Sequence, residues 1–271
     1  MISLSLRPEA DLRSRNLRHQ KADSDHASTR QKEAILNAAS GLDEIKRIDA
    51  NGEAREVSVF EADPNGAAAE QFRLMQHRLS NVRPSGGSVL ITSPGAADGK
   101  SLNAFNLAWA LAEAGNNTLL LELDLRRPSQ SRHIPTPPPS SLVDVLTGET
   151  TALSAVRRLS DVPLFYLGLN KPTSKPVKLL RSKALQDLQC WARQTFSWVI
   201  IDGPPVLAVS DIEEILPGAD LVLLVVRERG TSRTMLERTV EHLGDRLNFV
   251  IYNNVSMSGH YGYGYRGYGD R

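Results

Sequence analysis

The sequence predicts an α/β fold: a mainly parallel sheet with helices on both faces. Three observations carry this. Short apolar runs alternate with stretches of helical apolar spacing, from Ser88 to the end of the last run at Asn253. The runs LLL (119–121) and LVLLVV (221–226) are continuously apolar rather than alternating, as in strands buried on both faces. Gly99-Lys100-Ser101 stands between one such strand and the helix after it, where open α/β sheets place their ligands.

The elements follow in order. Residues 1–65 are polar, carry both charges and read as a largely mobile extension, with Leu6, Leu12 and Leu17 hinting at a short amphipathic helix. Ala62–Gly66 is a turn signal, and a helix is expected from Ala67 to Leu79. SVLIT (88–92) is a strand. Ser101 to Ala114 is a helix with Leu102, Phe105, Leu107, Ala108 and Leu111 at helical spacing, stopped by Gly115-Asn116-Asn117. TLLLELD (118–124) is a strand, the proline-rich 134–140 a loop and 141–149 a short helix. Strands at 162–169, 198–202, 220–226 and 249–253, with helices at 181–194 and 232–243, complete the pattern. The last 16 residues are rich in Gly and Tyr and cannot build a core. The expected organisation is an extension (1–65), a nucleotide-binding domain (66–255) and a tail (256–271).

The 271 residues include 32 Lys plus Arg and 31 Asp plus Glu, a net charge of +1 that gives no electrostatic case for nucleic acid. Cys190, the one cysteine, excludes an intrachain disulfide and is expected to be a packed thiol. The longest apolar runs fall far short of the roughly 20 residues that cross a bilayer. Any membrane role is expected to come through a partner.

The chemistry concentrates in ITSPGAADGKSLNAFNLA (91–108). Backbone N–H groups of such a loop and of the first helical turn attract phosphate oxygens. Lys100 would reach the terminal phosphates and the Ser101 hydroxyl would bind Mg²⁺. Pro94 occupies the place of the first glycine of the strict phosphate-loop pattern, with Gly95 one residue late. Two further strands end in acids, Glu122-Leu123-Asp124 and Asp202-Gly203-Pro204-Pro205, as Mg²⁺–nucleotide chemistry requires.

TSPGAADGKS, LLLELDLRRPS, WVIIDGPPVLAVSD and the tyrosines of the tail together resemble the bacterial tyrosine kinases of exopolysaccharide and capsule synthesis, the CpsD/CapB type, over residues 66–271. The resemblance implies a P-loop NTPase fold of the MinD-like (SIMIBI) class, ATP and Mg²⁺ as cofactors, and autophosphorylation in trans of Tyr261, Tyr263, Tyr265 and Tyr268. It implies that Gly95, Ala96, Ala97, Asp98, Gly99, Lys100, Ser101 and Leu102 cradle the phosphates and that Asn253 contacts adenine. Lys100, Glu122, Asp124 and Asp202 would be catalytic, with Ser101, Asp124 and Asp202 on the metal side and Glu122 or Asp124 accepting the phenolic proton. A ring-like homo-oligomer through Glu70 and Arg73, a membrane adaptor of the polysaccharide co-polymerase (chain-length-determinant) type, a tyrosine phosphatase and a cytoplasmic place at the inner face of the plasma membrane follow from the same resemblance. The chain departs from the family pattern at Glu122 (for Asp), Ala97 (for Gly) and Gln76 (for Arg). The competing readings are a MinD/ParA-like ATPase switch, which leaves the tyrosine tail unexplained, and a nucleotide-binding scaffold without catalysis.

Overall fold

The computed structural model describes residues 3–6, 42, 45, 47, 58–134, 140–159, 161–169 and 171–255. The tail tyrosines lie outside them, as does most of the extension. The strands are β1 (Ser3–Leu6), β2 (Gly87–Thr92), β3 (Thr118–Glu122), β4 (Arg157–Arg158), β5 (Leu164–Leu167), β6 (Trp198–Asp202), β7 (Leu221–Arg227) and β8 (Leu247–Asn253). The helices are α1 (Val59–Ala62), α2 (Ala67–Val82), α3 (Lys100–Glu113), α4 (Leu142–Thr147), α5 (Ala152–Ala155), α6 (Pro176–Leu180), α7 (Lys183–Thr195), α8 (Ile212–Ile215) and α9 (Arg233–Leu243).

The strands form one sheet in the order β1-β8-β7-β2-β6-β3-β5-β4. The six inner strands pair in parallel, while β1 and β4 are antiparallel edges. Alternate residues of each inner strand feed two separate cores. Val89, Ile91, Leu120, Ile200, Leu223 and Val225 pack against α2 and α3. Leu90, Leu119, Leu121, Val199, Ile201 and Leu224 pack beneath α4 to α9. This two-sided burial is why the sequence runs are continuously apolar.

Several boundaries differ from the sequence expectation. Ser3–Leu6 pairs with β8 as a strand, so Leu6 is not helical and the extension is not wholly free of the fold. Leu42 and Ile45 join the core beneath α4 to α9. The packed unit also begins before residue 66. Ser58 caps α1 through a capping box, and Phe60 is buried against Phe72 and stacked on Trp109. β3 stops at Glu122, which leaves Asp124 in the following loop. Cys190 is exposed on α7 rather than packed. Among the described residues no helix is long and apolar enough to cross a membrane.

Candidate active site

Three central strands, β2, β3 and β6, deliver their carboxyl ends to one place. β2 passes through residues 93–99 into α3. Gly99 takes a left-handed conformation (φ +94°), and a Cβ there would collide with the Asn253 amide. No side chain caps α3, so its first-turn N–H groups remain open to an anion. The loop is braced from within and from outside. The Asp98 carboxylate accepts from Gly95 N (3.0 Å) and Thr231 Oγ1 (3.0 Å). Asn253 Nδ2 donates to Asp98 O (2.9 Å), and Arg227 donates to Ala97 O (3.0 Å).

Lys100 turns back over the ends of β3 and β6. Its Nζ lies 2.9 Å from Asp124 Oδ2, 3.2 Å from Ser101 Oγ and 3.5 Å from Asp202 Oδ1. Burial alone would depress the ammonium pKa; Asp202 and Asp124 outweigh it and hold the group above its ordinary value. Three oxygens thus converge around one cation. Two carboxylates and a hydroxyl are the hard donors Mg²⁺ takes beside phosphate, so the residues present fit that ion.

The strand register explains the acids. Glu122 and Asp202 are partners across β3 and β6, two residues beyond Leu120 and Ile200, and therefore lie on the α3 side of the sheet. They diverge in environment. Asp202 is reached by Lys100 and by Gln130 Nε2 (2.8 Å). Glu122 is sealed off from the site. Its Oε1 accepts the backbone N–H groups of Ser129 (2.6 Å) and Gln130 (2.8 Å), and its Oε2 accepts Tyr166 OH (2.9 Å) and Leu169 N (3.2 Å). Burial first, and then the Asp202 charge, raise its pKa to about 7 against the pull of those three N–H groups. The extra methylene of Glu in place of Asp is what lets the carboxylate reach past the site into this pocket. The expected role of Glu122 as proton acceptor does not fit its position; Asp124 is the acid that faces the cavity.

That cavity has a volume of about 660 Å³ and is lined by Ala96, Ala97, Gly99, Lys100, Ser101, Leu102, Asp124 and the loop residues around Arg127 and Ala208. Gly95, Asp98 and Asn253 are instead part of the bracing. Arg126, which also lines the cavity, makes a two-pronged ion pair with buried Asp211 (2.8 and 3.0 Å). Far from the cavity, Arg73 is committed within the chain to Glu70 on its own helix and to Glu113 of α3. Gln76, where the family pattern has Arg, bonds Ser80 one turn on. Sequence reasoning missed Ser129 and Gln130, which touch Ser101 (2.7 Å between hydroxyls; 3.0 Å from Gln130 Nε2 to Ser101 O). Their only sequence signal is that they follow Arg126-Arg127-Pro128.

No protein-family model matches the chain. It is 30% identical over 210 residues to the tyrosine-protein kinase YwqD of Bacillus subtilis (strain 168), covering 76% of this chain and 89% of that one. It is 30% identical over 204 residues to the succinoglycan biosynthesis transport protein ExoP of Rhizobium meliloti (strain 1021), covering 72% of this chain but 26% of that much longer one. The crystal structure of the chimerical protein CapA2B2 superposes with a TM-score of 0.69 at 25% identity, covering 82% of this chain and 99% of that one.

Proposed function

Because the chain belongs to the bacterial tyrosine-protein kinases, we propose that it transfers the γ-phosphoryl group of ATP to tyrosines of its own tail, Tyr261, Tyr263, Tyr265 and Tyr268, in a neighbouring copy. The observation that carries this is the meeting of Lys100, Ser101, Asp124 and Asp202 at the start of an uncapped helix. Phosphoryl transfer needs alignment and neutralisation more than covalent chemistry by the protein.

The α3 amides and Lys100 bind the β- and γ-phosphates. Ser101, Asp124 and Asp202 would hold Mg²⁺, which when bound would supply charge neutralisation on the transferring group. Lys100 exchanges its carboxylate partners for phosphate oxygens as the nucleotide enters. The acceptor phenol, with an ordinary pKa near ~10, gives its proton to Asp124 as its oxygen bonds to phosphorus and the bond to the β–γ bridging oxygen breaks. Residues 66–255, extended at the start by the α1 segment, form the kinase domain and 256–271 the acceptor tail. Asn253 serves the site through the phosphate loop. Regulation of exopolysaccharide or capsule export, a ring-like oligomer, a tyrosine phosphatase and a membrane adaptor that places the chain at the inner face of the plasma membrane complete the reading. Arg73 takes part in any such ring through the α2 surface it stiffens, since its own donors are already spent on Glu70, Glu113 and Pro64 O of the same chain.

Tandem mass spectrometry of tail peptides after incubation with Mg·ATP tests the proposal. Phosphate on the tail tyrosines, absent in Lys100→Ala, is expected. An unmodified tail, also in the presence of an adaptor's cytoplasmic segment, would refute it.

A further inference from the structure

Gln130 opens the short 3₁₀ turn Gln130–Arg132 and is fully buried, though polar. Its backbone is fixed by Glu122, which accepts the N–H groups of both Ser129 and Gln130. Its side-chain NH₂ is spent on two acceptors, Asp202 Oδ2 at 2.8 Å and Ser101 O at 3.0 Å. Both partners are acceptors, so the amide has one sensible orientation; reversing it would set a carbonyl against two oxygens. This leaves Oε1 buried and without a partner. A buried acceptor left unpaired costs about 1–3 kcal/mol, so such atoms are retained where a ligand or water completes them.

We propose that Gln130 is a positioning residue of the metal centre, clamping Asp202 and Ser101 through its NH₂ and accepting a hydrogen bond through Oε1 from a water on the bound Mg²⁺. The proposal rests on the nucleotide–Mg²⁺ reading above. Mg²⁺ parts with its waters reluctantly and keeps several when it sits on one or two carboxylates and phosphate, so a site for it brings hydrogen-bond donors to its margin. The residue whose amide already holds the Asp202 carboxylate and the main-chain carbonyl of Ser101 is placed to receive one. The same arrangement gives Glu122 a purpose: its carboxylate orders the turn, the turn aims Gln130, and Gln130 orients Asp202. Such outer partners of metal ligands tune affinity strongly without touching the ion.

The test uses the full chain loaded with ADP and Mn²⁺ as the probe ion, its binding followed by the electron paramagnetic resonance of free Mn²⁺. ADP affinity in EDTA is measured in parallel. Gln130→Met, similar in length but without the amide, is expected to weaken Mn²⁺ by about 10- to 100-fold and to leave ADP affinity in EDTA unchanged. Gln130→Glu keeps the acceptor and loses the donors; it is expected to hold Mn²⁺ more tightly than Gln130→Met, and it is compared with the native chain if Gln130→Met does not fold. Native Mn²⁺ affinity in Gln130→Met would overturn the proposal. So would equal losses of Mn²⁺ and of metal-free ADP, which mark a merely structural residue, or a Gln130→Glu affinity at or below that of Gln130→Met. Failure of the native chain to bind ADP and Mn²⁺ at all would overturn the nucleotide-site reading itself, whereas native binding with unaffected variants sinks only the role of Gln130.

Discussion

Replacing Lys100 with Met removes the one cation between Asp124 and Asp202. The three groups are 8%, 4% and 0% exposed, so water cannot take over the solvation of the two carboxylates. Breaking a buried ion pair by deleting one partner costs about 3–5 kcal/mol, because the charge left behind is uncompensated. Here two charges are left, facing a shared space. Urea unfolding should therefore show Lys100→Met less stable than the native chain by about 3–5 kcal/mol near pH 8. Adding Asp202→Asn to Lys100→Met should recover part of the loss, since one of the stranded charges is gone. A Lys100→Met variant as stable as the native chain near pH 8 would refute the reasoning. The same curves are needed for Lys100→Ala, so that a silent tail is not mistaken for an unfolded enzyme.

Glu122, with a folded pKa of about 7 against an ordinary 4.5, binds more protons folded than unfolded between those values. Its contribution is fully present below about pH 4.5 and lost as pH rises through about 7, a swing of about 3 kcal/mol, and urea unfolding of native and Glu122→Gln chains across that window should show the pH slope only in the former. Ala97 sits in the left-handed region (φ +66°), where a Cβ costs roughly 1–2 kcal/mol. Ala97→Gly relieves this and adds about 0.5–1 kcal/mol of unfolded-chain entropy, so a net gain of about 0.5–1 kcal/mol, or about 2 °C in calorimetry, is expected; a lower melting temperature would count against strain at this loop.

The sequence by itself determined the sheet, its two-sided burial and the position of the phosphate loop. Apolar periodicity is a local record of which faces are buried, and Gly99-Lys100-Ser101 is contiguous in the chain. It also named Lys100, Ser101, Asp124 and Asp202, because a carboxylate at the end of a buried strand is costly unless a cation or a set of donors meets it there. Only the tertiary structure decided which acid does what. Glu122 and Asp124 are two residues apart, but β3 ends between them. One carboxylate is carried inward to Tyr166 and the turn at Ser129, the other outward to the cavity. Ser129 and Gln130 entered the site through hydrogen bonds spanning 28 to 72 residues, a separation no periodicity encodes. Arg73 followed the same rule. Its helix was legible, but its commitment to Glu113, 40 residues away, depends on how α2 packs on α3. Local chemistry selects the residues that can act, and the long-range packing that surrounds each one sets its solvation, and with it its role.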